Sequence, residues 1–197
     1  DDIWGFGKQY YDSEWFKRIN SFLHITIDSK PVLDQAYEQA KATKNYLSWA
    51  KFAIPEMAKR NANIDFIYGA SDTEKFKPIS KLEKLDLRRK FGIDEKATIF
   101  IYLGRNQLRK EFGNIIQAFA LFKKEFPQAN AKLLFHTSFS ERGNGWDIPM
   151  LLKYAGLKNE DILCTMVCRN CGQWEVKPYE GEDKDCRFCG AKGSQIT

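Results

Sequence analysis

"ATIFIYLGRNQLRKEFGNIIQAFALF", residues 97–122, holds the pattern that decides the fold. Its first part, "TIFIYLG", is continuously apolar with β-branched and aromatic side chains, which predicts a strand buried on both faces of a sheet. The second part, "GNIIQAFALFKKEF", has apolar residues at helical spacing, which predicts an amphipathic helix ended by Pro127. The side chains predicted to face inward are Ile115, Ile116, Phe119, Phe122 and Phe126.

Strands and helices alternate on both sides of a polar, lysine-rich segment. The predicted strands are "FLHITI", "NYLSWA", "IDFIYGA", "TIFIYLG", "AKLLFHTS" and "DILCTMV", and the predicted helices cover Val32–Ala42, "KFAIPEMAKR", Leu82–Phe91, "GNIIQAFALFKKEF" and "DIPMLLKYAGL". This alternation predicts an α/β fold with parallel sheets and right-handed crossovers. Ligands of such sheets bind at the carboxyl ends of the strands, which puts Gly104 and the residues after it on the ligand side.

A cationic loop separates the predicted strand from the predicted helix, and its basic residues are Arg105, Arg109 and Lys110. Gly104 would let the backbone turn sharply and would leave room for a ligand. The guanidinium of Arg105 offers a planar fork of donors for phosphate oxygens, and Lys110 adds a mobile positive charge. Amides at the start of the helix near Gly113 also favour an anion. The loop therefore predicts a diphosphate site, and the alternative is that these are solvated loop charges, two of them paired with Glu111 or Glu125.

Composition narrows the possible classes of protein. The 197-residue chain has 43% apolar and 29% charged residues, with a net charge of +5. The apolar content is ample for a packed core, whereas so mild a positive charge gives only weak support for a nucleic-acid binder. No run approaches the ~18 apolar residues that a membrane span needs. The opening "DDIWGFGKQYYD" lacks the basic and apolar sections of a signal peptide, so we expect a soluble protein of the cytoplasm.

Several segments together resemble one enzyme family. "IYLGRNQLRKEFGNIIQAFALF" is similar to the G-R-x4-K segment that opens the carboxyl-terminal domain of family-4 retaining glycosyltransferases. "YLSWAKFAIPEMAKR", "DFIYGASDTEKFKPI" and "KLLFHTSFSERGNGWDIPMLLKYAGL" resemble other family segments in the family's order, although Ala50 stands at the usual serine position. The resemblance covers about residues 22–165.

The resemblance implies the GT-B architecture of two facing Rossmann-like domains. It also implies transfer of a sugar from a nucleotide-diphosphate donor to a hydroxyl acceptor, with retention of anomeric configuration. In the G-R-x4-K segment the matching positions are Gly104, Arg105 and Lys110, which would hold the donor diphosphate, whereas Arg109 has no match. Because these cations and a helix terminus neutralise the leaving group, the family generally needs no metal for the chemistry.

The segments that resemble the family do not include the start of its amino-terminal domain or its late E-x7-E segment. We therefore expect an internal fragment of a hexosyltransferase-type enzyme, inactive on its own. Its predicted parts are residues 1–78 (end of the amino-terminal Rossmann-like domain), 79–96 (linker), 97–165 (first half of the donor-binding domain) and 166–192 (zinc ribbon). Neither His24 nor His136 matches the catalytic histidine of the family, so the catalytic residues stay unassigned, and a lone histidine in a strand is more often structural.

Two C-x-x-C-G motifs follow the last predicted strand, and their cysteines are Cys168, Cys171, Cys186 and Cys189. Fourteen residues separate the pairs, a spacing typical of a zinc ribbon in which four thiolates hold one structural Zn²⁺. The alternatives are two redox dithiols or a pair of disulfides. So short a unit can hardly bury a core, so the metal would supply much of its folding energy. Cys164 is expected to be a buried bystander.

The charge of this ribbon argues against nucleic acid as its partner. From Cys164 onward five basic and five acidic residues cancel, and four thiolates around Zn²⁺ add about two negative charges. We expect the ribbon to brace the fold or to contact a protein. The rival to a glycosyltransferase fragment is therefore a non-catalytic interaction scaffold, and a nucleic-acid-binding zinc protein is a distant third.

Overall fold

The computed structural model describes residues 12–139 and 145–197, and the chain divides into two compact units between Lys77 and Pro78. Both units contain parallel strands joined through helices, so the predicted α/β class is confirmed. None of the helices in these described ranges is long and apolar enough to cross a membrane.

The first unit contains a three-stranded parallel sheet in the order β1-β2-β3. Its elements are α1 (Glu14–Arg18), β1 (Phe22–Ile25), α2 (Asp34–Ala42), β2 (Asn45–Ser48), α3 (Ala53–Ala58) and β3 (Asp65–Phe66). Ile25 of β1 and Tyr46 of β2 are buried together with Ala36 and Tyr37 of α2 and Met57 of α3. One face of the sheet therefore carries the core of this unit.

Most elements of this unit are shorter than the sequence predicts. Helix α2 begins at Asp34 instead of Val32, because Leu33 is extended and an acidic residue favours the positive amino end of a helix. Val32 still joins the core from the preceding loop, which accounts for its place in the apolar pattern. Pro55 lies in the first turn of α3, where its missing N–H group costs no intrahelical bond.

An aromatic stack lies at the carboxyl edge of this sheet. The rings of His24 and Trp49 stack with their centroids 4.8 Å apart, and His24 Nε2 lies 2.7 Å from the carbonyl oxygen of Ile67. Gly69 packs against the Trp49 ring, since a Cβ atom on Gly69 would lie 2.7 Å from Cε3 of that ring. His24 is thus a hydrogen-bonded structural residue.

Gly69→Ala is expected to destabilise the first unit by about 1–3 kcal/mol, because the new methyl group overlaps the Trp49 ring. Chemical denaturation measures the loss. In a Trp49→Ala background the same change should be nearly neutral, since the overlapping ring is gone. An equal loss in both backgrounds would contradict this explanation.

The second unit contains a five-stranded sheet in the order β4-β5-β6-β7, with β8 paired to the end of β6. Its elements are α4 (Lys81–Lys90), β4 (Thr98–Leu103), α5 (Phe112–Glu125), β5 (Ala131–His136), α6 (Ile148–Tyr154), β6 (Ile162–Cys168), β7 (Trp174–Pro178) and β8 (Gln195–Ile196). Strands β4, β5 and β6 are parallel, whereas β7 and β8 run antiparallel to β6.

The prediction that the "TIFIYLG" strand is buried on both faces is wrong. β4 is an edge strand of its sheet, and Ile101 and Leu103 are 63% and 69% exposed. Only the face with Phe100 and Tyr102 meets the aromatic residues of α5 and β5. A continuous apolar run therefore identifies the strand here, but it overstates the cover on its second face.

Helix α5 packs its apolar side on the core of the second unit, largely as predicted. Ile116 and Phe119 are buried, and Ile115 and Phe122 are partly buried against the same cluster. Phe126 is a correction to the predicted inward face, because it follows the last helical residue and is 50% exposed.

The segments on either side of this sheet belong to the same compact unit. Residues 78–96 contain α4, whose first turn is fixed by a capping box: Ser80 Oγ accepts from Glu83 N (3.2 Å), and Ser80 N donates to the Glu83 carboxylate (2.8 Å). The cysteine-rich hairpin, residues 168–197, continues the sheet directly. Its strand β7 pairs with β6 from Leu163↔Pro178 to Val167↔Trp174.

Candidate functional site

The four cysteine sulfurs of the two C-x-x-C-G motifs form one cluster. The Sγ atoms of Cys168, Cys171, Cys186 and Cys189 all lie within 4.8 Å of one another. Cys168 Sγ is 3.8 Å from Cys189 Sγ, and Cys171 Sγ is 3.8 Å from Cys186 Sγ. A tetrahedron with metal–sulfur bonds of about 2.3 Å has edges of about 3.8 Å. The cluster therefore has the size of a closed four-thiolate metal site.

The first knuckle is built on the end of β6. The amides of Asn170 and Cys171 point at Cys168 Sγ, at 3.3 Å and 3.5 Å. Gly172 closes the turn with its amide 2.9 Å from the carbonyl oxygen of Cys168, at a φ of 69° that favours glycine. The glycine after the cysteine pair thus allows the tight turn that presents both sulfurs to one ion.

The second knuckle repeats this geometry away from the sheet. The amide of Phe188 lies 3.4 Å from Cys186 Sγ, and Gly190 closes the turn at a φ of 72°. All five cysteines are free thiols. The sulfur separations are far longer than the 2.05 Å or so of a disulfide, so the pair of disulfides considered as an alternative is not formed.

Local dipoles favour thiolates at part of the cluster. The Ser194 hydroxyl 3.2 Å away and the amides of Cys171 and Asn170 lower the pKa of Cys168 to about 6. The side-chain amide of Asn170 lowers the pKa of Cys189. Cys171 differs: the Gln173 amide favours its thiolate, but burial and the neighbouring sulfurs outweigh it and raise its pKa to about 12. Because cysteines bind a metal as thiolates, a cation bound at this cluster would favour ionisation of its sulfurs.

Cys164 does not belong to the cluster. Its side chain is buried, its Sγ donates to the carbonyl oxygen of Lys177 at 3.5 Å, and burial raises its pKa to about 12. The predicted role of a buried bystander is confirmed.

A buried carboxylate, which the sequence pattern did not reveal, ties the hairpin together. Glu175 of β7 is 4% exposed and receives Arg187 Nε at 2.7 Å, Lys177 Nζ at 3.3 Å and Gln195 Nε2 at 2.8 Å. Lys177 Nζ also donates to Gln195 Oε1 at 2.6 Å. These bonds join β7, β8 and the second knuckle across the cysteine-rich hairpin. Its only sequence signal is the alternation of Glu175 and Lys177 on one strand face.

A cavity of about 650 Å³ lies where the parallel strands β4 and β5 end. Its polar and glycine lining includes Gly104, Arg105, His136, Thr137, Ser138 and Thr165. The φ of Gly104 is outside the left-handed region, and a Cβ atom there would meet nothing closer than Tyr102 at 4.0 Å. The fold itself therefore tolerates a side chain at this position, whereas a ligand in the cavity would compete with it for space.

The predicted diphosphate residues separate into two places. Gly104 and Arg105 line the cavity, whereas Lys110 is absent from its described lining and ends a 3₁₀ turn before α5. The Tyr102 hydroxyl donates to the Lys110 carbonyl oxygen at 2.6 Å and holds this turn on β4. Glu111 occupies the N-cap position of α5, so the positive end of this helix already has a carboxylate nearby.

Comparison with known proteins leaves these sites to be interpreted on their own chemistry. Neither family models nor curated protein sequences match this chain.

Asn106 is a site residue that the sequence reasoning missed. It is 1% exposed, donates from Nδ2 to the Trp146 carbonyl oxygen and accepts from the Trp146 amide at Oδ1, both at 2.8 Å. Trp146 Nε1 also donates to the Leu108 carbonyl oxygen at 3.1 Å. The cationic loop is thus fixed to the segment before α6. The glycine–tryptophan pair at residues 145–146 is the one local signal, because Gly145 leaves room for Asn106.

A larger cavity of about 730 Å³ lies at the opposite end of the helices. It is lined by residues that follow α5 and α6, including Pro127 and Gly156, and by the ion pair between Lys123 and Asp161 at 3.0 Å. Ligands of parallel sheets bind where strands end, so the cavity with Arg105 is the better candidate for function.

Proposed function

We propose that the second unit is the donor-binding part of a GT-B retaining glycosyltransferase that uses a nucleotide-diphosphate sugar. The supporting observation is the cavity at the carboxyl ends of β4 and β5, with Gly104 and Arg105 on its wall. This is the edge at which α/β sheets bind nucleotides, and a guanidinium there matches a diphosphate. The resemblance around G-R-x4-K supplies the reaction class.

In this proposal the cationic loop acts on the leaving group. Breaking the bond between the anomeric carbon and the diphosphate increases negative charge on the leaving oxygens. Arg105 and Lys110 stabilise that charge more in the transition state than in the ground state, which lowers the barrier. The oxygen of an acceptor hydroxyl forms the new bond to the anomeric carbon, and its proton passes to the departing diphosphate. No metal is required for this step, because the side chains neutralise the diphosphate.

We propose that Zn²⁺ occupies the four-cysteine cluster as a structural ion. Four thiolates at tetrahedral separations form a closed site with no position for a substrate, which is the pattern of structural zinc. Thiols that stay reduced suit the cytoplasm, where we place the protein. None of the four cysteines is among the described residues that line the cavity beside Arg105, so in this proposal the ion is structural.

A second candidate function is a protein-interaction scaffold. Trp174 and Phe188 are 51% and 46% exposed on the metal-binding hairpin. Aromatic residues exposed in this way are enriched at protein interfaces, which favours a protein partner for this hairpin. In that case the cavity would bind no nucleotide.

Calorimetric titration of the zinc-loaded chain with UDP and GDP tests the proposal. Binding of one of them should weaken about 10- to 100-fold in Arg105→Ala, the cost of a lost hydrogen bond to a charged group. Lys110→Ala should have a smaller effect, since Lys110 is off the cavity wall. Arg109→Ala is the matched control and should bind normally. Failure of both nucleotides to bind the folded chain would favour the scaffold.

Gly104→Ala distinguishes an effect on ligand binding from an effect on the stability of the fold. We expect stability within about 0.5 kcal/mol of the parent chain, because a Cβ atom has room there. Nucleotide affinity should fall about fivefold or more, since the methyl group crowds the bound ligand by about 1 kcal/mol or more. Thermal denaturation and calorimetry measure the two quantities. Unchanged affinity would place the ligand elsewhere.

A further inference from the structure

The metal cluster and the cavity share strand β6. Thr165 and Val167 line the cavity, and the next residue, Cys168, is a member of the cluster. The backbone of Cys168 also pairs with Gln195 of β8. One wall of the cavity is therefore the strand on which the metal site is built.

Thr197, which directly follows β8, is a second link between the cysteine-rich hairpin and the cavity. Thr197 lines the cavity, and its Oγ1 accepts a hydrogen bond from the amide of Phe139 at 2.8 Å. The Thr197 hydroxyl donates to the carboxylate of Glu182, and its amide donates to the same carboxylate at 3.0 Å. Thr197 therefore links the backbone of Phe139 to the carboxylate of Glu182.

Phe139 directly follows the residues after β5 that line the cavity. Residues 136–138 line the cavity, and Phe139 is 2% exposed with its ring 4.4 Å from the ring of Tyr179. Tyr179 follows β7, so the hairpin holds this segment at two points, one polar and one aromatic.

The strand that directly precedes Thr197 is short and lies beside the cluster. β8 has two residues, and its ladder contacts with β6 are Val167↔Ile196 and Cys168↔Gln195. So short a strand has little stability of its own, and the side chain of Gln195 adds hydrogen bonds to Glu175 and Lys177. A metal ion in the cluster would join the end of β6 to the second knuckle. The bridge Lys184↔Gln195 pairs a residue just before this knuckle with the first residue of β8.

We propose that metal binding at the four cysteines shapes the cavity wall through Thr197 and Phe139, so that metal and cavity ligand bind with positive coupling. The identity of the ligand rests on the proposed function, but the effect of the metal on the wall does not. Coupling is reciprocal, so the ligand raises the metal affinity by the same factor.

Hydrogen exchange with Zn²⁺ as the only added component tests the effect on the wall. Loading the full chain should protect the Phe139 amide about tenfold or more relative to the chelated chain. Thr197→Val in the zinc-loaded chain should remove this protection while one zinc per chain stays bound. Thr98→Val makes the same chemical change on exposed β4 and should leave Phe139 protected. Protection of Phe139 that is unchanged in zinc-loaded Thr197→Val would overturn the proposal.

Titration with UDP and GDP then separates this inference from the nucleotide proposal. If a nucleotide binds, its affinity should fall about tenfold on zinc removal or in Thr197→Val, within the usual range of coupling between two sites. If neither nucleotide binds while Phe139 still responds to zinc, the donor proposal fails and the metal effect stands. A nucleotide affinity independent of zinc would overturn the coupling.

Discussion

Removal of the metal ion is expected to unfold the hairpin of residues 168–197. The described hairpin residues bury few apolar side chains, and Cys168 and Cys186 are themselves among the buried ones. Structural zinc contributes about 10–16 kcal/mol of apparent binding energy at neutral pH, comparable to the whole stability of a typical domain. Chelation should therefore abolish protection of the hairpin amides, which hydrogen exchange measures. The core of Phe112, Phe135 and Ile162 lies outside the hairpin and should be the last to open.

Cysteine variants give this prediction its control. Cys186→Ser replaces a buried ligand, so we expect zinc stoichiometry to fall from one per chain to a fraction, with loss of hairpin protection. Cys164→Ala removes a thiol that is equally buried but outside the cluster, and should keep one zinc at a cost of about 1 kcal/mol for the small cavity. Native mass spectrometry counts the metal. Equal zinc loss in both variants, or a hairpin that stays protected without metal, would contradict a structural site.

The sequence predicted those features whose causes are local. The alternation of apolar runs and helical patterns gave the parallel α/β class, and the cysteine spacing with its two glycines predicted a cluster that the structure brings within 4.8 Å. A C-x-x-C-G turn carries its own geometry, so no distant residue is needed to recognise it.

Features with distant partners were not predictable in this way. The run Thr98–Leu103 predicted a strand correctly, but its position at the sheet edge depends on which other strands pair with it. Asn106 is bonded to a residue 40 positions away, and Glu175 to one 20 positions away. Their local sequence signals are weak, because a buried hydrogen bond needs one partner at one place and produces no periodic pattern.

Asn106→Leu is expected to destabilise the second unit by about 2–4 kcal/mol. The substitution has a similar volume but removes two hydrogen bonds, and it leaves the amide and carbonyl of Trp146 without their partner. A loss of this size lowers the melting temperature by about 10 °C in a domain of this length. The cationic loop would also lose its link to the segment before α6. Nucleotide binding should therefore weaken together with stability.

Two further variants distinguish loss of this link from a general effect of leucine. Asn114→Leu alters an exposed asparagine of α5 and should change stability by less than about 1 kcal/mol. Gly145→Ala leaves Asn106 in place but puts a Cβ atom 2.8 Å from its carbonyl oxygen, so it should disturb the same loop by a different route. Thermal melts and UDP and GDP titrations of the three variants give the comparison. Because both changes act on one contact, Asn106→Leu and Gly145→Ala should be less than additive when combined. Full additivity, or a neutral Asn106→Leu, would show that the pairing with Trp146 does not hold the loop.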